Sequence, residues 1–540
     1  MANNQWWKGA VIYQVYPRSF QDTNHDGIGD LQGIIKRLDY IKSLGVDAIW
    51  ISPFFKSPMK DFGYDISDYR DVDPMFGDIE DFDTLIEQAH ARDIKIIIDQ
   101  VLSHTSHQHQ WFTESREDKT NDKADWYVWA DAKPDGTQPN NWLSIFGGPA
   151  WQWEPRRGQY YLHNFLTEQP DLNFHNPDVR KAVLDNVEFW LKKGVDGFRL
   201  DAINFCYHDK LLRDNPAKPK ELRQGRGFSE DNPYAFQYHY YNNTQPENLA
   251  FMEAIRALLD RYPGTVSLGE ISSEDSLATM AEYTSDGNKL HMGYSFELLT
   301  NDYSAKYIRE TVSRLEEVMT EGWPCWAFSN HDVERVASRW DQTGGKGNPL
   351  QASMLSALLG SLRGSVCMYQ GEELGLGEAD VAFEDLQDPY GKTFWPNFKG
   401  RDGCRTPMPW EKEAKQLGFS KAKPWLPMEA NHAKLAVSEQ TDKASSTLNR
   451  YRHFMAWRSD KSVLKYGDIE FIDTQEPVLA FYRTLDGETM LCAFNLSPVE
   501  ATLELELKTL YSHKELEHHT GNFSNGELIL PGFGCFFATL

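Results

Sequence analysis

The chain has few cysteines and no paired ones. Cys206, Cys325, Cys367, Cys404, Cys492 and Cys535 are scattered without a C-x-x-C pair, so neither a zinc site nor a disulfide framework is expected, and a reducing compartment fits. No apolar run approaches transmembrane length. The opening residues, Met1 to Trp7, carry no basic, apolar or cleavage region of a leader, so a cytoplasmic protein is expected. Positive charge is in deficit, with 55 Lys and Arg against 80 Asp and Glu and a formal net charge of -25. That field repels phosphate. It excludes nucleic acid and anionic membrane as partners and leaves a neutral small molecule unaffected.

Aromatic side chains are plentiful, at 13% of residues with 17 Trp, enough to furnish sugar-stacking surfaces as well as core. The length, 540 residues, suggests roughly three domains or one large barrel with additions. Eight strand-like runs are found: Val11 to Tyr16, Val46 to Pro53, Ile94 to Val101, Val195 to Ile203, Val266 to Ile271, Met292 to Leu298, Cys325 to Asn330 and Ser365 to Tyr369. Most are followed by a helical pattern, and buried strands alternating with helices predict a closed parallel (β/α)8 TIM barrel. One helix is expected from Asp30 as N-cap, through Leu31, Ile34, Ile35, Leu38 and Ile41, to a stop at Gly45. Another opens at Asn176-Pro177.

The third βα unit is interrupted by a stretch rich in Trp, Pro, Gly and Asn, too long for a loop and expected to form a small domain over the barrel mouth. Short alternating strands after the last helix predict an antiparallel β domain. The expected organisation is barrel at 1–104, inserted domain at 105–174, barrel again at 175–460 and β domain at 461–540. Two further elaborations are expected, Asp209 to Pro246 and Asp380 to Lys423.

Gly197-Phe198-Arg199-Leu200-Asp201 closes the fourth strand, and alternation puts Arg199 and Asp201 on one face near its carboxyl end. In a βα barrel that end is where chemistry is done. A fixed cation beside Asp201 is expected to keep the carboxylate ionised and nucleophilic. The ends of other strands carry Asp99 and His104, Glu270, and His331-Asp332. Such a crowd of acids costs energy unless it works. Without transition-metal spacing, it points to glycoside chemistry, which needs one carboxylate as nucleophile and another as acid.

Asp99-Gln-Val-Leu-Ser-His104, Gly197-Phe-Arg-Leu-Asp201, Gly269-Glu270, Ser329-Asn-His-Asp332 and Gln169-Pro-Asp-Leu-Asn173 resemble the motifs of the α-amylase superfamily, glycoside hydrolase family 13, in its α-glucosidase and oligo-1,6-glucosidase group. The resemblance implies Asp201 as nucleophile, Glu270 as acid and base, and Asp332 as transition-state stabiliser. It also implies that Asp61, Tyr64, His104, Arg199, His331 and Arg401 bind the non-reducing glucose of a small saccharide. Tyr64 can stack beneath the ring, with Phe146 and Phe165 as wall candidates. Glu270, facing Asp201 and Asp332, is expected to hold its proton. Ser103 stands where the pattern usually has a calcium-binding Asn, so that calcium site is not expected.

A different metal site is expected in Asp22-Thr-Asn24-His-Asp26-Gly27-Ile28-Gly-Asp30, where oxygen ligands alternate around a Gly turn as in the first half of an EF-hand loop. Asp22, Asn24, Asp26, Ile28 and Asp30 would hold one structural Ca2+ or Mg2+. No organic cofactor is expected.

The resulting expectation is a retaining, exo-acting α-glucosidase that releases glucose from short α-linked glucosides and transfers it to acceptors as well. In the resembling family, Val after the nucleophile accompanies α-1,6 preference. Ala202 here therefore implies preference for α-1,4 or α-1,3 linkages. A sucrose isomerase or trehalose synthase on the same scaffold, or an inactive binding subunit, are the alternatives.

Overall fold

The computed structural model describes residues 5–223, 231–345, 347–507 and 509–540. Part of the expected elaboration Asp209 to Pro246, residues 224–230, lies outside these.

Eight strands form one parallel sheet: β1 (Val11–Val15), β2 (Ala48–Ile51), β3 (Lys95–Val101), β4 (Gly197–Asp201), β5 (Val266–Ile271), β6 (Met292–Ser295), β7 (Cys325–Ala327) and β8 (Ser365–Tyr369). They pair in the order β6, β5, β4, β3, β2, β1, β8, β7. A parallel bridge from Gly293 to Pro324 joins the two ends. The sheet is thus closed into the expected barrel.

Period-two alternation divides the strand side chains between two cores. Ile12, Trp50, Ile97, Leu268, Met292 and Cys367 fill the barrel's interior, while Tyr13, Ile49, Ile98, Phe198, Leu200 and Met368 face outward into the helix layer. Burying both faces is what makes these runs continuously apolar rather than alternating. The expected first helix is two short ones, Leu31–Lys36 and Leu38–Ser43, broken at Arg37 (φ -104°, ψ 8°). Arg37 leaves the helical path with its guanidinium 4.0 Å from the Trp410 ring centroid and bonded to Gln21. That long-range anchor is invisible to a local periodicity.

After β3 a three-stranded antiparallel sheet, Trp129–Ala130, Gln159–Leu162 and Trp151–Glu154, packs its own small core around Trp142 and Trp151. A bridge between His104 and Asp171 ties it to the end of β3. Beyond the helix Thr447–Ser459, five antiparallel strands from Asp468 to Thr539 form a second sheet. Its Phe537 packs on Phe454 and Trp457 of that helix, so barrel and β domain share a core.

Candidate active site

Register across the barrel explains how the charges meet. Asp99 on β3 is the register partner of Arg199 on β4, and Arg199 Nη1 donates to Asp99 Oδ1 at 3.0 Å. Two residues on, the same nitrogen donates to Asp201 Oδ1 at 2.5 Å. Glu270 on β5 is the partner of Tyr294 on β6, and Tyr294 Oη donates to Glu270 Oε2 at 2.8 Å. Arg199 Nη2 donates to Tyr294 Oη at 2.9 Å and also contacts Glu270 Oε2. One fully buried guanidinium therefore serves three carboxylates, Asp99, Asp201 and Glu270.

His331 and Tyr64 extend this network. With Gln14 Nε2 donating to His331 Nδ1 at 2.8 Å, the ring proton sits on Nε2, 2.6 Å from Tyr64 Oη. Tyr64 Oη then donates to Asp99 Oδ2 at 3.0 Å. Burial keeps His331 neutral, well below the usual imidazole range, and lowers His104 to about 4. Both rings are thus neutral hydrogen-bonding partners at pH 7.

Across the mouth stands a second arginine. Arg401 Nη2 lies 2.8 Å from Asp61 Oδ1, and its Nη1 lies 3.2 Å from Asp332 Oδ1. Asp388, itself fully buried, holds the fork through Nε at 3.0 Å and Nη2 at 2.9 Å. Arg405 Nη2 adds a contact to Asp332 Oδ1 at 3.0 Å. Burial would raise the Asp332 carboxyl, but the charges facing it hold it far below the usual carboxylate range. With His331 neutral, that pull comes from Arg401, Arg405 and Arg199. The loop is shaped for this grip: Gly400 has φ +79°, and a Cβ there would meet the Gly391 Cα at 2.6 Å. Only glycine tolerates both.

Asp61, Tyr64, His104, Phe146, Phe165, Asp201, Glu270, Asp332 and Arg401 all line one cavity at the carboxyl ends of the strands. Arg199 and His331 lie in direct contact with it, bonded to Asp201 and Tyr64. Phe146 is packed between Phe165 and Tyr390, with Arg401 5.1 Å from its ring centroid. The structure adds Tyr294, Asp388, Arg405 and Gln169, whose amide donates to Asp61 at 3.1 Å. Gln169 sits inside the Gln169-Pro-Asp-Leu-Asn173 motif, whereas nothing local marks Tyr294 or Asp388 as part of a site.

One expectation about charge is corrected. Asp201 is not kept comfortably ionised by Arg199, because burial pushes its carboxyl up to about 7 against that pull, with Asp99 adding to the rise. A nucleophile must be deprotonated, so kcat/KM of the free enzyme is expected to fall as pH drops through about 7. Removing the Asp99 charge by Asp99→Asn should move this acid limb to lower pH. A limb near pH 4 in the parent enzyme would contradict the burial argument.

The expected metal loop lies away from this cavity. Asp22 accepts from the N–H of His25 at 2.7 Å and of Gly27 at 2.9 Å. Asn24 accepts from Asp26 N at 3.0 Å, and Asp26 from Ile28 N at 2.9 Å. Asp30 caps the helix at Gly33 N (2.7 Å) and takes Thr23 N (2.9 Å). These bonds shape the loop by themselves. Among the described residues no three His, Cys, Asp or Glu side chains converge as a metal group. The donor atoms are nonetheless all oxygens, which is hard-cation chemistry.

No helix among the described residues is long and apolar enough to cross a membrane. Residues 14–467 match the family model of the α-amylase catalytic domain, and residues 469–536 that of the maltogenic amylase C-terminal domain. A probable α-glucosidase of Rhizobium meliloti is 55% identical over 100% of this chain and 98% of its own length. An oligo-1,6-glucosidase of Heyndrickxia coagulans is 39% identical over 91% and 92%. Among solved structures, the α-glucosyl transfer enzyme XgtA superposes with TM-score 0.97 at 66% identity, covering 99% of both chains. Trehalulose synthase MutB of Pseudomonas mesoacidophila follows at 0.88 and 31%, again covering 99% of both. The chain is a glycoside hydrolase and belongs to the α-amylase family, in its α-glucosidase and oligo-1,6-glucosidase group.

Proposed function

We propose that the protein is a retaining, exo-acting α-glucosidase that frees one glucose at a time from the non-reducing ends of short α-linked glucosides. The observation that carries this reading is the Asp61–Arg401–Asp332 grip facing Asp201 and Glu270 across one cavity. A paired arginine fork closes the cavity behind a single sugar, leaving the bond to be cut beside the two carboxylates. In this reading Asp201 attacks the anomeric carbon while Glu270 protonates the leaving oxygen. Glu270 then draws a proton from water or another hydroxyl, which displaces Asp201. Asp332, held ionised by Arg401 and Arg405, binds sugar hydroxyls as positive charge develops on the ring.

Linkage preference is placed at Ala202, which lines the cavity directly after the nucleophile. Preference for α-1,4 or α-1,3 over α-1,6 is proposed, since a small side chain here leaves the leaving sugar more approaches. Ala202 also holds a left-handed backbone (φ 41°, ψ 46°), which a β-branched residue adopts only with strain. The informative quantity is therefore a ratio, which cancels strain common to both substrates. Ala202→Val should lower the maltose to isomaltose ratio of kcat/KM roughly tenfold or more, the worth of a few methyl contacts. A parent that prefers isomaltose, or an unmoved ratio, refutes the assignment. Sucrose in the same substrate panel separates hydrolysis from isomerisation by its products.

One structural Ca2+ or Mg2+ on Asp22, Asn24, Asp26, Ile28 and Asp30 is proposed as well. Chelation should lower Tm by several degrees, and added Ca2+ or Mg2+ should restore it, because a cation bound only to the folded loop stabilises it by mass action. An unchanged Tm, with no metal in the purified protein by elemental analysis, removes the site. The six buried free thiols support the cytoplasm as the enzyme's place.

A further inference from the structure

Asp61, the partner of Arg401, and Tyr64, the partner of His331 and Asp99, are the two ends of one turn in the loop after β2. The Tyr64 N–H donates to Asp61 O at 3.1 Å. Both residues between them have positive φ, Phe62 at 49° and Gly63 at 107°. Such a turn favours glycine or asparagine at its centre, and a bulky aromatic there holds a strained backbone. Phe62 therefore does not serve the turn through its backbone. What the position uses is the ring, whose centroid lies 5.4 Å from that of Trp425.

Arg18, in the turn Pro17–Ser19 after β1, reaches both rings. Its guanidinium carbon is 5.0 Å from the Phe62 centroid and 4.7 Å from that of Trp425, with Phe76 farther off at 6.0 Å. The side chain is buried, its Nη2 donates to the Met75 sulfur at 3.3 Å, and its Nε has no hydrogen-bond partner. No carboxylate among the described residues forms an ion pair with it, and Asp73 and Asp65 attract it only from a distance. Burial lowers its pKa, as expected of a charge taken out of water without a counter-ion. Aromatic faces stand in the counter-ion's place. Trp425 is itself fixed, its N–H donating to Gly27 O at 3.0 Å and its Nε1 to Ser19 Oγ at 2.9 Å.

Resting on the glucosidase reading above, we propose that Arg18 and Phe62 are positioning residues for the non-reducing glucose: the cation, held between the Phe62 and Trp425 rings, locks the strained turn and so fixes Asp61 and Tyr64 at the spacing the sugar requires. Neither residue is among the described lining of the sugar cavity, so they act through the turn. Without the lock Phe62 relaxes toward negative φ, and Asp61 and Tyr64 lose their common aim. Asp61 meets the sugar away from the bond to be cut, so the loss falls on binding more than on the chemical step.

The test uses the full-length enzyme with an aryl α-glucoside as substrate and glucose as competitive inhibitor, recording Tm for each variant. Arg18→Met, near in length but uncharged, should raise KM and the glucose inhibition constant together by roughly fivefold or more, with kcat changed less than about twofold. Phe62→Gly, whose backbone suits the turn without strain, should do the same for want of the ring. Phe62→Tyr, which keeps the ring, should retain the parent values. Because the two residues act as one unit, the double variant Arg18→Met with Phe62→Gly should lose no more than about the larger single loss. Losses that multiply in the double variant overturn the lock. So do parent constants in either folded single variant, with or without a lower Tm, which is what a merely structural arginine would give. If Arg18→Met fails to fold, Phe62→Gly against Phe62→Tyr decides alone. A parent that releases no aryl group overturns the glucosidase reading and the lock's role with it.

Discussion

Asp201→Asn is expected to lower kcat by about 10⁴-fold or more, the scale seen when a nucleophile is removed. The fold should survive. Asp201 ends β4, where its backbone pairs with Val101, and the amide is nearly isosteric with the carboxylate. It also removes a carboxyl that burial disfavours in its charged form, so nothing in the packing demands the charge. Arg199 keeps Asp99 and Glu270 as partners. The check is steady-state kinetics on an aryl α-glucoside together with Tm and near-UV circular dichroism. Substantial residual activity in a folded variant would remove Asp201 from the nucleophile's place.

Glu270→Gln is expected to divide substrates by their leaving groups. A sugar leaves poorly without a proton, so hydrolysis of maltose should fall by about 10²- to 10⁴-fold, the usual contribution of a positioned general acid. An aryl glucoside with an acidic phenol needs little protonation in the first step and should retain much more of that step. Glutamine still reaches Tyr294 and Arg199, so the loss would not come from collapse of the wall. Equal losses on both substrates would count against Glu270 as the acid.

How much of this could be read from the chain alone varies with how local the cause is. The eight barrel strands were legible because each is buried on both faces and so is continuously apolar, as in Val266–Ile271 and Ser365–Tyr369, whose bounds agree with the expectation. The break at Arg37 was not, because it depends on Trp410 and Gln21, distant in sequence. In the site, Arg199 and Asp201 were legible as an i, i+2 pair on a strand. Their neighbours Asp99 and Tyr294 join them only through strand register, which a single sequence does not reveal. Asp388 caps the short helix Pro389–Phe394 and meets the site through Arg401, 13 residues away, a link that the cap itself does not announce. The raised Asp201 carboxyl was missed for a related reason: the pairing with Arg199 is visible in the sequence, but the burial that outweighs it and the sharing of Arg199 among three acids are not. The left-handed backbone of Ala202 has no glycine to announce it.

The central claim is that Asp201 and Glu270 work as nucleophile and acid in a double displacement on an α-glucoside. The most direct measurement is proton NMR of the glucose first released from an aryl α-glucoside, before mutarotation, since the aryl substrate contributes no other sugar. Two inversions predict α-glucose as the initial product, decaying to the equilibrium mixture. Initial β-glucose would mean a single displacement by water and would contradict the role assigned to Asp201.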